Sequence, residues 1–177
     1  MRFLSTRLAC AVIPILSGCQ TGTALDDYLP GEPPTVTGSP GAPPRQVQSV
    51  VVWGNDERTV EAASAWIKQH GIRVVPSLTI HQALAAKSGS EELLITEGTV
   101  LDAAGQAGAD AVVFADRTGD VRPPMVSVKA VGTRNRATIW TGDARFDKFY
   151  GLPNAETMTL LTDHALMTAW GLQPKED

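Results

Sequence analysis

The sequence predicts an α/β domain, a mixed sheet of about five strands with helices packed on it, preceded by a disordered linker. Three observations predict it. Short β-branched runs that stop at Gly or Pro alternate with stretches of apolar residues at helical spacing. Two later stretches alternate apolar and polar residues around a turn-forming segment, the pattern of an antiparallel hairpin. Finally, residues 20–46 are rich in Pro and Gly and almost free of large apolar side chains, so they cannot form a core.

Val47 to Trp53 is the first β-branched run, and Gly54 ends it as a buried strand. Asn55 or Asp56 can cap the helix that follows, with Val60, Ala63, Trp66 and Ile67 on one face and Gly71 as its stop. Ile72 to Val75 form the next strand, ended by Pro76. This β-α-β opening favours a parallel pair with a right-handed crossover. Ser77 caps a second helix facing inward through Leu78, His81, Leu84 and Ala85, and Lys87 to Ser90 read as a loop. A third helix runs from about Glu97 to Gln106, with Val100, Leu101 and Ala104 inward and Gly108 as its stop. Ala111 to Ala115 read as a central strand, and Asp116 to Pro124 as a loop. Met125 to Val131 and Ala137 to Phe146 are the hairpin strands, joined by the turn residues Gly132 to Arg136. Asn154 caps a last helix to Trp170, with Met158, Leu161, Ala165 and Ala169 at helical spacing and Gly171 after it. No internal repeat is evident.

The amino terminus has a different organisation. Arg2 and Arg7 precede the uncharged stretch Leu8 to Leu16, and small residues follow before Cys19, the three regions of a secretory signal. Nine apolar positions interrupted by Pro14 fall well short of the ~20 that a transmembrane helix needs. Leu16-Ser17-Gly18-Cys19 resembles the lipobox of bacterial lipoproteins. The resemblance implies that residues 1–18 are a signal peptide and that Cys19 becomes the first mature residue, carrying lipid such as palmitate. More than one acyl chain, at ~0.8 kcal/mol per buried methylene, makes such an anchor effectively permanent. Gln20 stands where Asp marks inner-membrane retention in the sorting rule of many Gram-negative bacteria, which implies the outer membrane. Residues 19–46 then form the lipidated cysteine and a linker, and residues 47–177 a periplasmic α/β domain. The linker would span roughly 30 Å as a coil, or up to ~80 Å as polyproline.

Cleavage would leave 13 basic against 19 acidic side chains, a net charge of -6 in place of -4. A mildly acidic domain without a basic run is a poor match to nucleic acid. Of the two cysteines, Cys10 would leave with the signal and Cys19 would be lipidated. The exported domain would then have no disulfide, although its compartment allows one.

Three stretches carry a further resemblance. They are Ser49 to Trp53 leading into a capped helix; Gly105 to Val113, with Gly108-Ala109-Asp110 ahead of a strand; and Val126 to Val131 followed by Thr138-Ile139-Trp140-Thr141-Gly142. In this order they resemble the periplasmic α/β domain shared by curli-secretion lipoproteins, the LpoB-like lipoprotein activators of penicillin-binding proteins and the amino-terminal domain of TolB. The match covers residues 47–170. A curli-type channel needs membrane strands of about 9–11 residues, and the segments at Lys87 to Ile95 and Asp116 to Pro124 are too short and polar to supply them. Pore activity is therefore not carried over, and fold alone does not establish function.

The chemistry-bearing residues do not converge on a catalytic set. His70, His81 and His164 are the only histidines, and none has a second ligand at metal spacing. Asp163-His164 looks like part of a triad, but no Ser sits in a Gly-x-Ser-x-Gly elbow. Gly105 to Gly108 ends a helix instead of opening one, unlike a phosphate loop. Asp116, Arg117, Asp120 and Arg122 follow the central strand, near where open α/β sheets bind ligands, and form a candidate recognition loop. Trp140, on a hairpin strand, is a candidate contact residue. The expectation is a non-enzymatic module without metal or cofactor, held to the membrane through Cys19, that binds a protein partner or its own copies. The alternative is a small-ligand or peptidoglycan-binding module, with a hydrolase using His164 third.

Overall fold

The computed structural model describes residues 33–41, 47–88, 95–118, 123–148 and 152–172. Its strands are β1 (Thr35–Ser39), β2 (Ser49–Trp53), β3 (Arg73–Val75), β4 (Ala111–Thr118), β5 (Met125–Gly132) and β6 (Thr138–Arg145). Its helices are α1 (Glu57–Gln69), α2 (Ser77–Ser88), α3 (Glu97–Gln106) and α4 (Ala155–Ala169). They form the mixed sheet with packed helices that the sequence predicts. The strand order is β1-β6-β5-β4-β2-β3. β2 is parallel to β3 and β4, whereas β4-β5, β5-β6 and β6-β1 are antiparallel.

Local chemistry explains the boundaries. The Asp56 carboxylate accepts from Thr59 N–H and starts α1; Asn154 does the same with Thr157 for α4. Thr96 and Thr99 form a capping box at α3. Gly71, with φ of +81°, adopts the left-handed turn that ends α1 and leads into β3.

The helices divide between the two faces. α1 and α4 cover one face, where Val50, Val52, Val113, Val126, Val128 and Trp140 meet Ala63, Trp66, Ile67, Met158, Leu161 and Leu166. α2 and α3 cover the other over β2, β3, β4 and the end of β5, through Val51, Val75, Val112, Phe114, Val131, Ile80, Leu84, Val100 and Leu101. Beyond β4 that second face carries Ser127 and Lys129 of β5, Thr141 and Asp143 of β6 and Thr37 and Ser39 of β1. An antiparallel sheet tolerates water on one face, and among the described residues no helix packs an apolar core over its polar half.

Three expectations change. The sheet has six strands, because β1 comes from the stretch 20–46 read as linker. Only Pro34 and Val36 give β1 apolar burial, so its sequence lacks the alternation of an ordinary strand. Its backbone is held by β6 instead. α2 faces inward through Ile80 and Leu84, while Leu78 is 64% exposed and His81 lies on the surface. Finally, β4 runs on through Asp116 and Arg117 to Thr118, because β5 pairs with it along its whole length.

α4 approaches β6 and β1 closely enough to exclude side chains. A Cβ on Gly142 would stand 2.1 Å from the Ala165 carbonyl oxygen, and one on its cross-strand partner Gly38 would stand 3.2 Å from Thr168 Cγ2 of α4 and 2.6 Å from the Thr141 oxygen of β6. Among the described residues, no helix is long and apolar enough to cross a membrane.

Candidate functional site

A cleft of about 490 Å³ opens where α3 stops covering the sheet. Its floor is Phe114, Asp116 and Thr118 of β4 with Ser127 and Lys129 of β5, and its wall is Trp53, Ile95, Thr96, Glu97 and Val100. The position follows from topology. β2 sends the chain through α1 to β3 on one side, and the return through α2 and α3 enters β4 on the other. Strand order therefore reverses between β2 and β4, and the cleft lies at their carboxyl ends, where open α/β sheets bind ligands. Its volume is within the usual range for small-ligand sites.

The polar groups are fixed by neighbours. Lys129 Nζ lies 2.6 Å from Glu97 Oε2 and 5.4 Å from the Phe114 ring centroid, spanning the cleft from floor to wall. Asp116 Oδ1 accepts from Asn55 N–H at 3.1 Å. The Asn55 side chain donates to the Arg117 carbonyl at 2.9 Å and accepts from Arg117 N–H at 2.9 Å. This pair of bonds replaces the strand neighbour that β4 loses where β2 ends. Ser127 Oγ donates to Asp143, tying the floor to the open face. On the rim, Trp53 stacks on His81 at 4.6 Å, and Ile95 is 55% exposed.

Of the four residues expected in a recognition loop, Asp116 lines the cleft. Arg117 points to the opposite face, as alternation along a strand requires, and its guanidinium lies 3.9 Å from Asp56. Asp120 and Arg122, like Cys19, lie outside the described residues. Trp140 is not available for contact: it is 3% exposed, in the core under α4 and edge-on to Trp170 at 6.4 Å. Its neighbours on β6 alternate, and Trp140 occupies the helix-covered side.

Asp163 and His164 are consecutive on α4, so their side chains leave the helix in different directions. Burial raises the Asp163 carboxyl above its ordinary value, against a lowering by the nearby charge of His70. Burial lowers the His164 imidazole, and its Nδ1 has no hydrogen-bond partner among the described residues. His70 stacks on Trp66 at 3.7 Å and meets Trp170 edge-on. No group of three or more His, Cys, Asp or Glu among the described residues is placed to hold a metal ion.

Sequence reasoning missed Lys129, Glu97, Ser127 and Trp53. The alternation of Ser127 and Lys129 with Val126 and Val128 was the available signal, since it puts two polar groups on one face of β5.

No protein-family model and no curated protein matches the sequence. Solved structures do. A single-substitution variant of PelC from Paraburkholderia phytofirmans, solved as a dodecamer, superposes with a TM-score of 0.50 at 17% identity, covering 80% of this chain and 99% of that one. The LpoB C-terminal domain from Salmonella enterica gives 0.48 at 18% identity, over 60% of this chain and 88% of that one. The lipoprotein GNA1162 from Neisseria meningitidis gives 0.46 at 18%, over 68% and 95%. LpoB belongs to the group that the sequence motifs resemble, and at these identities the likeness is one of fold alone.

Proposed function

We propose that this chain is a lipid-anchored envelope protein whose α/β domain is a non-enzymatic binding and assembly module for a periplasmic or cell-wall protein, its own copies included. The cleft at the carboxyl ends of β2 and β4 carries the reading. It joins apolar and charged groups at the reversal point of the sheet, and it adjoins the polar half of that sheet face, over which no helix packs an apolar core among the described residues. The lipobox-like run ending at Cys19 supports the anchor, and Gln20 supports the outer membrane. The dodecamer in which the PelC variant was solved supports self-association as one form of the assembly.

Crosslinking of intact envelopes followed by pull-down tests the module. Recovery of a defined partner or of higher multimers, lost on Trp53→Ala, is expected. Recovery of neither would refute it. Cys19→Ser tests the anchor separately: release from membranes and loss of fatty-acid labelling are expected, and unchanged retention would refute it.

The cleft's volume favours a second reading, a small-ligand or peptidoglycan-binding module. Sedimentation with purified sacculi separates the two. Loss of sedimentation on Asp116→Ala but not on Arg117→Ala would favour the second reading, because only Asp116 lines the cleft.

A further inference from the structure

β1 decides where the chain enters the domain. Its register with β6 places Thr35 opposite Arg145, which in turn lies opposite Met125, and Met125 opposite Thr118. Thr35 therefore sits at the same end of the sheet as the cleft. Val47, where the chain would enter if β1 were not docked, precedes Ser49 at the opposite end, beside Asp110. The two entry points are separated by the length of β4, eight residues or roughly 27 Å.

Docking of β1 is specific. Gly41 N–H donates to the Ala169 carbonyl at 3.2 Å, Pro34 is buried, and Val36 packs on the core. Gly38 fits between β6 and Thr168 where a Cβ would collide with backbone. The slot thus accepts a strand with Gly at that position.

We propose that β1 is a strap that turns the cleft end of the domain toward the membrane holding Cys19, so that partners reach the cleft from the membrane side. The proposal rests on the lipid-anchor reading above. With β1 docked, about 15 residues separate Cys19 from Thr35, a reach of roughly 20 Å as a coil and about 45 Å fully extended in polyproline form. Inverting the domain would lift the attachment point by its own height, beyond the coil's typical reach. With β1 released, the entry point moves to Val47 and the cleft turns away from the membrane.

The test uses the full lipidated chain in liposomes containing a headgroup quencher. One fluorophore is placed through Arg145→Cys at the cleft end, another through Arg134→Cys at the hairpin turn of the far end. Stronger quenching at Arg145→Cys is expected, with the order lost or reversed when Val36→Asp undocks β1. A Gly/Ser insertion of about 15 residues before Pro33 leaves the fold intact and should shrink the difference by lengthening the tether. Equal quenching at both ends, or a difference unaffected by either change, would overturn the strap while leaving the anchor reading standing. Absence of any liposome association would overturn both.

Discussion

The carboxylate of Asp110 holds Ser49 through two contacts at once: its Oδ2 lies 3.0 Å from the Ser49 amide nitrogen and 3.1 Å from the Ser49 hydroxyl. The same oxygen accepts from Gln48 N–H at 3.0 Å, and Asp110 N–H donates to the Ser49 carbonyl. The residue just before β4 thereby fixes the start of β2 and the parallel register between them. This gives a physical reason for Asp in the Gly108-Ala109-Asp110 run.

Asp110→Ala should cost about 1–3 kcal/mol, since it takes the carboxylate acceptor from the Gln48 and Ser49 amides, while the Ser49 hydroxyl keeps the Gly108 carbonyl. Burial alone would raise the Asp110 carboxyl, but the bonds from Gln48 and Ser49 and the charge of Arg134 outweigh it and hold it below its ordinary value. A depressed carboxylate stabilises the fold fully above the unfolded value of about 3.9 and loses that contribution as pH falls through the folded value. Urea unfolding of wild type and Asp110→Asn across the acid range checks this. The variant's curve should lack that loss, and parallel curves would contradict it.

Two glycine substitutions should have opposite signs. Gly142→Ala drives a Cβ to 2.1 Å from the Ala165 oxygen and 2.9 Å from the Ala169 side chain, so a loss of about 3 kcal/mol is expected. Gly105→Ala meets nothing closer than 3.6 Å and lies within α3, where it should gain roughly 0.5–1 kcal/mol. Thermal melts of the two variants decide the matter.

The Lys129–Glu97 pair should matter little to folding despite its 2.6 Å separation, because both side chains are more than a third exposed. A double-mutant cycle is expected to give a coupling below about 1 kcal/mol. A larger coupling would mean that the pair holds α3 to the sheet instead of merely spanning the cleft.

The helix caps are a fourth case. Asn154→Ala removes the acceptor for Thr157 N–H and for the Thr157 hydroxyl at 2.8 Å, and about 1 kcal/mol of stability should go with it. Asn154→Asp keeps the acceptor and should restore it.

Much of this architecture was legible in the chain because local chemistry and tertiary packing agree there. Asp56, Asn154 and Gly71 act at the helix ends as their residue types predict, and Val126 to Val131 alternates as a half-covered strand should. α2 was misread because Leu78 and Ile80 offer two overlapping stripes, and only contact with α3 and β2 selects the one through Ile80 and Leu84. β1 was hidden because its hold is backbone pairing and a slot for Gly38, neither of which leaves an apolar pattern. The cleft draws Trp53, Glu97, Asp116 and Lys129 from four separate elements, so the sequence pointed only to its neighbourhood, through Asp116.

Asn55 completes the sheet with a side chain where backbone would be expected. β2 stops at Trp53, opposite Phe114, while β4 continues four residues to Thr118, and Asn55 occupies the first place left empty. The cleft is thus a step between two neighbouring strands of unequal length. Its depth follows from chain length more than from the side chains that line it, so replacing Lys129 or Glu97 should retune which ligands it prefers, whereas lengthening β2 by a few residues should abolish the recess.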